Sequence, residues 1–169
     1  MPTQQIEVLL EQKLKAQGLV EQALALDGEP AEQKVLYLKA LGLDPSLGKA
    51  YNNLGLVYLE EGNYGEAVRL LREAAKRMPG NPVPRFNLGY TYELVGRLGS
   101  AQEQYAAAAS MAPDEPDYVE SLARVYIRRR DRLGEARDLL KDALRVETRP
   151  DHVKWINDQL EMLQKGFIP

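Results

Sequence analysis

The residues of this 169-residue chain able to do acid–base, nucleophilic or metal chemistry are few and scattered. It has one histidine, His152, and no cysteine. Disulfides, thiolate metal sites and cysteine nucleophiles are therefore excluded, and the composition fits a reducing compartment. Ser46, Ser100, Ser110 and Ser121 have no histidine near them in sequence to act as a base. No GxGxxG or GxxxxGK[ST] phosphate loop occurs. The acid pairs Glu60-Glu61 and Asp114-Glu115 fall at helix ends and loops, where they read as solvated charge. His152 reads as a surface residue at the start of the last helix. The sequence thus predicts no catalytic residues, no metal site and no cofactor.

The arginines Arg124, Arg128, Arg129, Arg130 and Arg132 invite a phosphate or nucleic-acid reading. Residues 116–149 hold nine basic and seven acidic side chains, a net of only +2. Glu120, Asp131 and Glu135 are close enough in sequence to pair with these arginines. A solvated helix end is the simpler reading; a mildly basic surface that takes an acidic peptide is the alternative. The whole chain carries −3, so nothing electrostatic favours nucleic acid.

Hydrophobic residues at 44% and charged residues at 28% are those of an ordinary globular domain, and the length suits one domain with a real core. The opening MPTQQIEVLLEQKLK has acids and glutamines where a signal peptide needs a basic start and an apolar core. No run of 18 apolar residues occurs, so no membrane insertion is expected, and the expected location is cytoplasmic.

What must position any functional residue is a repeat. The stretch 48–81 carries Tyr51, Leu54-Gly55, Tyr58, Ala67, Leu71, Ala74 and Pro79. Shifted by 34 residues, it reappears over 82–115 with Leu88-Gly89, Tyr92, Ala101, Tyr105, Ala108 and Pro113 in phase. A third copy, 116–149, has Leu122-Ala123 and Tyr126 in phase. Its Ala136, Leu140 and Ala143 match only if one residue is inserted within 128–133. Thr148 replaces the closing proline.

These copies resemble the tetratricopeptide repeat family. The resemblance implies an all-α, right-handed α-solenoid of antiparallel helix pairs. Residues 14–47 form a degenerate leading copy, with Glu21 and Gln33 where small residues belong, which suggests looser packing there. The expected single domain comprises an N-terminal helix and degenerate repeat (3–47), repeats at 48–81, 82–115 and 116–149, and a C-terminal capping helix at 150–165. Within 3–26 the apolar stripe Ile6, Leu9, Leu10 and Leu14 lapses at 15–18, predicting a kink or a break near Gly18. Asp27-Gly28-Glu29-Pro30 reads as a turn. Thr148 and Asp151 read as the start of the last helix, a capping pair around Pro150. Phe167-Ile168-Pro169 reads as a loose tail.

The resemblance also assigns a groove. Tyr37, Tyr51, Tyr58, Tyr64, Tyr92, Tyr105 and Tyr126 fall at family packing positions and are expected in the core. Phe86 and Tyr90 do not; their offsets face the concave side of the family's stacked first helices. Asn52 and Leu56 take those offsets in the preceding copy, Glu120 and Arg124 in the following one. Leu59, Glu93, Leu94 and Arg128 lie one turn further on. Asn53 and Asn87 share an offset at which the family places an asparagine that bonds a bound peptide's backbone, and Ser121 takes that place in the next copy. The family's chaperone-tail clamp is missing, because Val83, Asp117 and Ser121 stand where basic residues are required.

The function implied is non-catalytic: a protein–protein interaction scaffold that binds a peptide or helix in the groove, with Phe86 and Tyr90 as its hot spot. Self-assembly into a homo-oligomer through residues 3–13 or the Phe167-Ile168 tail, and a small secretion-type chaperone, are the alternatives among binding roles. An accessory subunit of an enzyme is the alternative of another class.

Overall fold

The computed structural model describes residues 2–26 and 28–166. Asp27 of the expected turn and the tail at 167–169 lie outside the described residues. Among them the order is α1 (Pro2–Ala25), α2 (Pro30–Leu43), α3 (Gly48–Glu60), α4 (Tyr64–Arg77), α5 (Val83–Leu94), α6 (Leu98–Met111), α7 (Pro116–Arg129), α8 (Leu133–Ala143) and α9 (Pro150–Lys165). There is no strand among the described residues. The class is an all-α array of helix pairs, as expected. Two compact units divide it, one ending at Asn87 and the other starting at Leu88, within α5.

In the first unit α1 packs on α2, α2 on α3 and α3 on α4. Short turns join these neighbours, so consecutive helices run antiparallel. Ala16, Val20 and Ala23 of α1, Tyr37 and Ala40 of α2, Ala50, Leu54 and Val57 of α3, and Leu70 of α4 form one buried cluster. Gly55 lets α3 approach α4, since a Cβ there would lie 2.9 Å from Leu71 Cγ. Asn63 starts α4 by accepting a hydrogen bond from the Glu66 amide, 3.4 Å away. Where looser packing is expected, Glu21 points to solvent and pairs with Lys49 at 2.7 Å. Gln33 Nε2 donates to the Leu26 carbonyl at 2.7 Å, closing the turn between α1 and α2. Helix α1 passes Gly18 without interruption, and nothing else comes within 4 Å of where a Cβ would sit there.

In the second unit α6 packs on α7, α7 on α8 and α8 on α9. Tyr105 and Leu140 are fully enclosed, and Ile156 of α9 is equally buried. A Cβ on Gly89 would stand 2.7 Å from the Tyr105 ring, which only glycine permits. The turn after α7 differs from its counterparts. After α3 and α5 the chain reverses through Gly62 and Gly96, both at positive φ. After α7 the left-handed positions are Arg130 (φ 56°) and Arg132 (φ 48°), where the extra residue falls. An L residue pays about 1–2 kcal/mol for that conformation.

Two expectations need correction. Tyr64, expected in the core, is the first residue of α4 and is 38% exposed. Thr148 and Asp151 do not cap α9, whose start has no side-chain cap. The carboxylate of Glu147 instead accepts the amides of Thr148 (2.8 Å) and Arg149 (2.7 Å).

Candidate interaction surfaces

In the first unit the candidate site is an amide relay beside a cleft. Asn52 is buried on α3. Its Nδ2 donates to Asn53 Oδ1 at 3.1 Å, and its Oδ1 accepts from Asn87 Nδ2 at 3.0 Å. The Nδ2 of Asn53 is buried with no hydrogen-bond partner. A buried amide donor left without an acceptor costs on the order of 1–3 kcal/mol. Asn53 lines a cleft of about 220 Å³ with Leu24, Gln33, Tyr37, Leu56 and Glu60. Leu59 is buried, and Phe86 is partly buried with contacts of its own.

In the second unit the site is a charge node. Glu93 on α5, its side chain only 9% exposed, accepts four hydrogen bonds from three side chains. Tyr105 Oη donates at 2.9 Å, Arg124 donates through Nε and Nη2 at 3.1 Å each, and Arg128 Nη1 donates at 2.7 Å. Ser121 Oγ accepts a further bond from Arg124 Nη2 at 3.2 Å. Burial works to raise the Glu93 pKa, but Arg124, with Tyr105 and Arg128, holds it below the usual carboxylate range. Burial, with the neighbouring Glu93 charge, pushes the Tyr105 hydroxyl up. The two guanidinium side chains remain about half exposed, and Tyr90 (45%) and Leu94 (48%) on the same helix as Glu93 are open to solvent.

The arginines do not all pair as the sequence suggests. Arg129 takes Asp131 at 2.8 Å and Arg132 takes Glu135 at 3.5 Å. Arg124 and Arg128 instead reach back 31 and 35 residues to Glu93. Glu120, expected near them, turns the other way and meets His152, whose Nδ1 lies 2.9 Å from its Oε2.

That contact opens a cluster the sequence reading misses. Glu120 and Glu147 are buried, and Asp117 Oδ1 accepts from Arg149 Nη2 at 2.6 Å. Burial raises the Glu120 pKa, and its Oε1 has no hydrogen-bond partner. Glu147 is held down to about 2 by its bonds from Arg149. Ligand atoms of Asp117, Glu147 and His152 lie within 4.8 Å of one another, as a metal site requires. The Arg149 guanidinium already bridges two of those carboxylates, however, and supplies the positive charge a cation would bring. The signal for this cluster is faint: Asp117 and Glu120 each stand 32 residues before their partners Arg149 and His152, near the repeat length.

Tetratricopeptide repeat sequences match residues 58–125 and 36–69, together a little over half of the chain. The chain belongs to the tetratricopeptide repeat family. Human protein O-mannosyl-transferase TMTC3 is 26% identical over 148 residues, covering 79% of this chain and 16% of that protein. The chain thus spans about a sixth of the length of that curated relative. A solved structure of Pseudomonas aeruginosa PilF superposes with a TM-score of 0.80 at 21% identity, covering 92% of this chain and 72% of that one. MamA superposes with a TM-score of 0.73 at 16% identity, covering 82% and 79%. These likenesses show the fold. Among the described residues no helix of this repeat protein is long and apolar enough to cross a membrane.

Proposed function

We propose that this protein is a non-catalytic scaffold that binds an extended segment of another protein on the exposed faces of its first-in-pair helices. The observation that carries the reading is Asn53. A buried side-chain amide N–H without a partner, beside a cleft lined by Leu24 and Leu56 as well as Gln33 and Glu60, is suited to donate to a peptide carbonyl. In the second unit Tyr90 and Leu94 offer apolar contact, and the half-exposed Arg124 and Arg128 favour an acidic residue. The transferase activity in the name of the human relative belongs to that protein, of which the match covers 16%.

The test is capture of a binding peptide from a displayed peptide library, followed by titration against variants. Asn53→Ala is expected to weaken peptides selected on the first unit, and Tyr90→Ala peptides selected on the second, about tenfold or more. Selection of no peptide, or selected peptides insensitive to both changes, would overturn the reading.

A further inference from the structure

Helix α1 is longer than its partner requires. It buries Ala16, Val20 and Ala23 against the rest of the first unit, while every residue from Gln4 to Lys15 is exposed. Those twelve residues form more than three turns that bury no side chain, although the Lys13 charge acts on Asp44 at the end of α2. An isolated helix of that length is marginal in water, because nucleation outweighs propagation. The stretch nevertheless carries Ile6 (65% exposed), Leu9 (53%), Leu10 (57%) and Leu14 (60%) at spacings of three and four, on one face. A face of this kind is stable when something covers it.

The charges indicate what. Glu7 and Glu11 precede Lys13 and Lys15 along the helix. A second copy laid antiparallel and centred near Leu10 puts Ile6 at the height of Leu14 and Leu10 beside its own mate. Glu7 of each copy then stands at the height of Lys13 of the other. A parallel pair would set like charges side by side, and a uniformly acidic or basic partner would suit only half of the stretch. Antiparallel helix dipoles also oppose favourably. We propose that residues 4–15 of α1 are a self-association surface, closed by the same helix of a second copy in a two-fold antiparallel pair. The proposal is independent of the groove reading, which concerns other helices.

Sedimentation of the full chain from micromolar to submillimolar concentration is expected to show a monomer–dimer equilibrium. The double change Ile6→Lys, Leu10→Lys is expected to weaken the dimer about a hundredfold or more. Because both residues are exposed, the thermal unfolding of the folded unit should survive the change. Since the chain has no cysteine, single introduced thiols report geometry cleanly. Leu10→Cys should form an intermolecular disulfide under mild oxidation, and Leu14→Cys should not, since its mates lie some turns apart in the antiparallel pair. A native chain that stays monomeric throughout, or a dimer undiminished in the double variant, would overturn the surface. Equal crosslinking at both positions would overturn the antiparallel arrangement.

Discussion

Single side chains carry the largest departures from the repeat pattern. Arg130 and Arg132 occupy left-handed backbone where Gly62 and Gly96 serve the earlier turns. Arg130→Gly removes that penalty and adds chain entropy to the unfolded state. The balance is expected to be a gain of about 0.5–1 kcal/mol, read as a raised Tm. Glu93 gives a second prediction. Glu93→Gln keeps the shape but removes the charge to which Arg124 and Arg128 donate. With those arginines half exposed and able to rehydrate, the expected loss is about 1–2 kcal/mol near neutral pH. The Glu93 pKa is lowered in the fold, so its stabilisation is complete above the ordinary value of 4.5 and disappears as pH falls through the folded value. Chemical denaturation of both proteins across that acid range should show the difference between them closing. A gap that persists undiminished in strong acid would assign the loss to something other than the charge.

At the scale of the element, the last helix offers the clearest measurement. Ile156 of α9 is fully buried, and Leu140 and Ala143 of the preceding helix are covered in the same unit. Deleting residues 150–169 should therefore uncover apolar surface worth roughly 1.5–3 kcal/mol for each side chain exposed. The truncated protein should melt earlier and associate in sedimentation; an unchanged melt with a monodisperse monomer would deny the helix a capping role. How legible the elements are follows from which interactions are local. Leu54-Gly55 with Tyr58, and Leu88-Gly89 with Tyr92, mark helix faces because close helix contact restricts residue size, and the glycine contacts with Leu71 and Tyr105 have that character. Tyr64 shares a family position yet is exposed, since position in the pattern does not say which neighbour covers a first turn. Arg124, Arg128 and Glu120 were open to several partners of similar reach. Long charged side chains choose among them by the three-dimensional path of two helices, which no spacing within one helix reveals.

For the molecule as a whole, the proposed recognition would rest on surfaces that add little to stability. Tyr90 is 45% exposed, so Tyr90→Ala should shift the unfolding free energy by no more than about 0.5 kcal/mol. The same change is expected to remove about 2 kcal/mol or more of binding to a selected peptide if it is an anchor. Calorimetric melting and peptide titration on one preparation separate the two effects. Phe86 is partly buried and engaged, so it reports on packing as well as on binding and is the poorer probe.

The carboxylate of Glu93 already stands where the acid of a bound peptide would seek Arg124 and Arg128. Docking such a peptide is therefore an exchange of one anion for another, and its net gain is smaller than the contacts alone suggest. On the proposed reading, Glu93 would be a resident competitor. From this follows an inverted pair of effects: Glu93→Gln, which weakens the fold, should tighten an acidic peptide while leaving a neutral one unchanged, a trade of stability against affinity. Titrating both peptides against both proteins checks it, and an acidic peptide bound no better by the variant would show that Glu93 does not stand in the ligand's place.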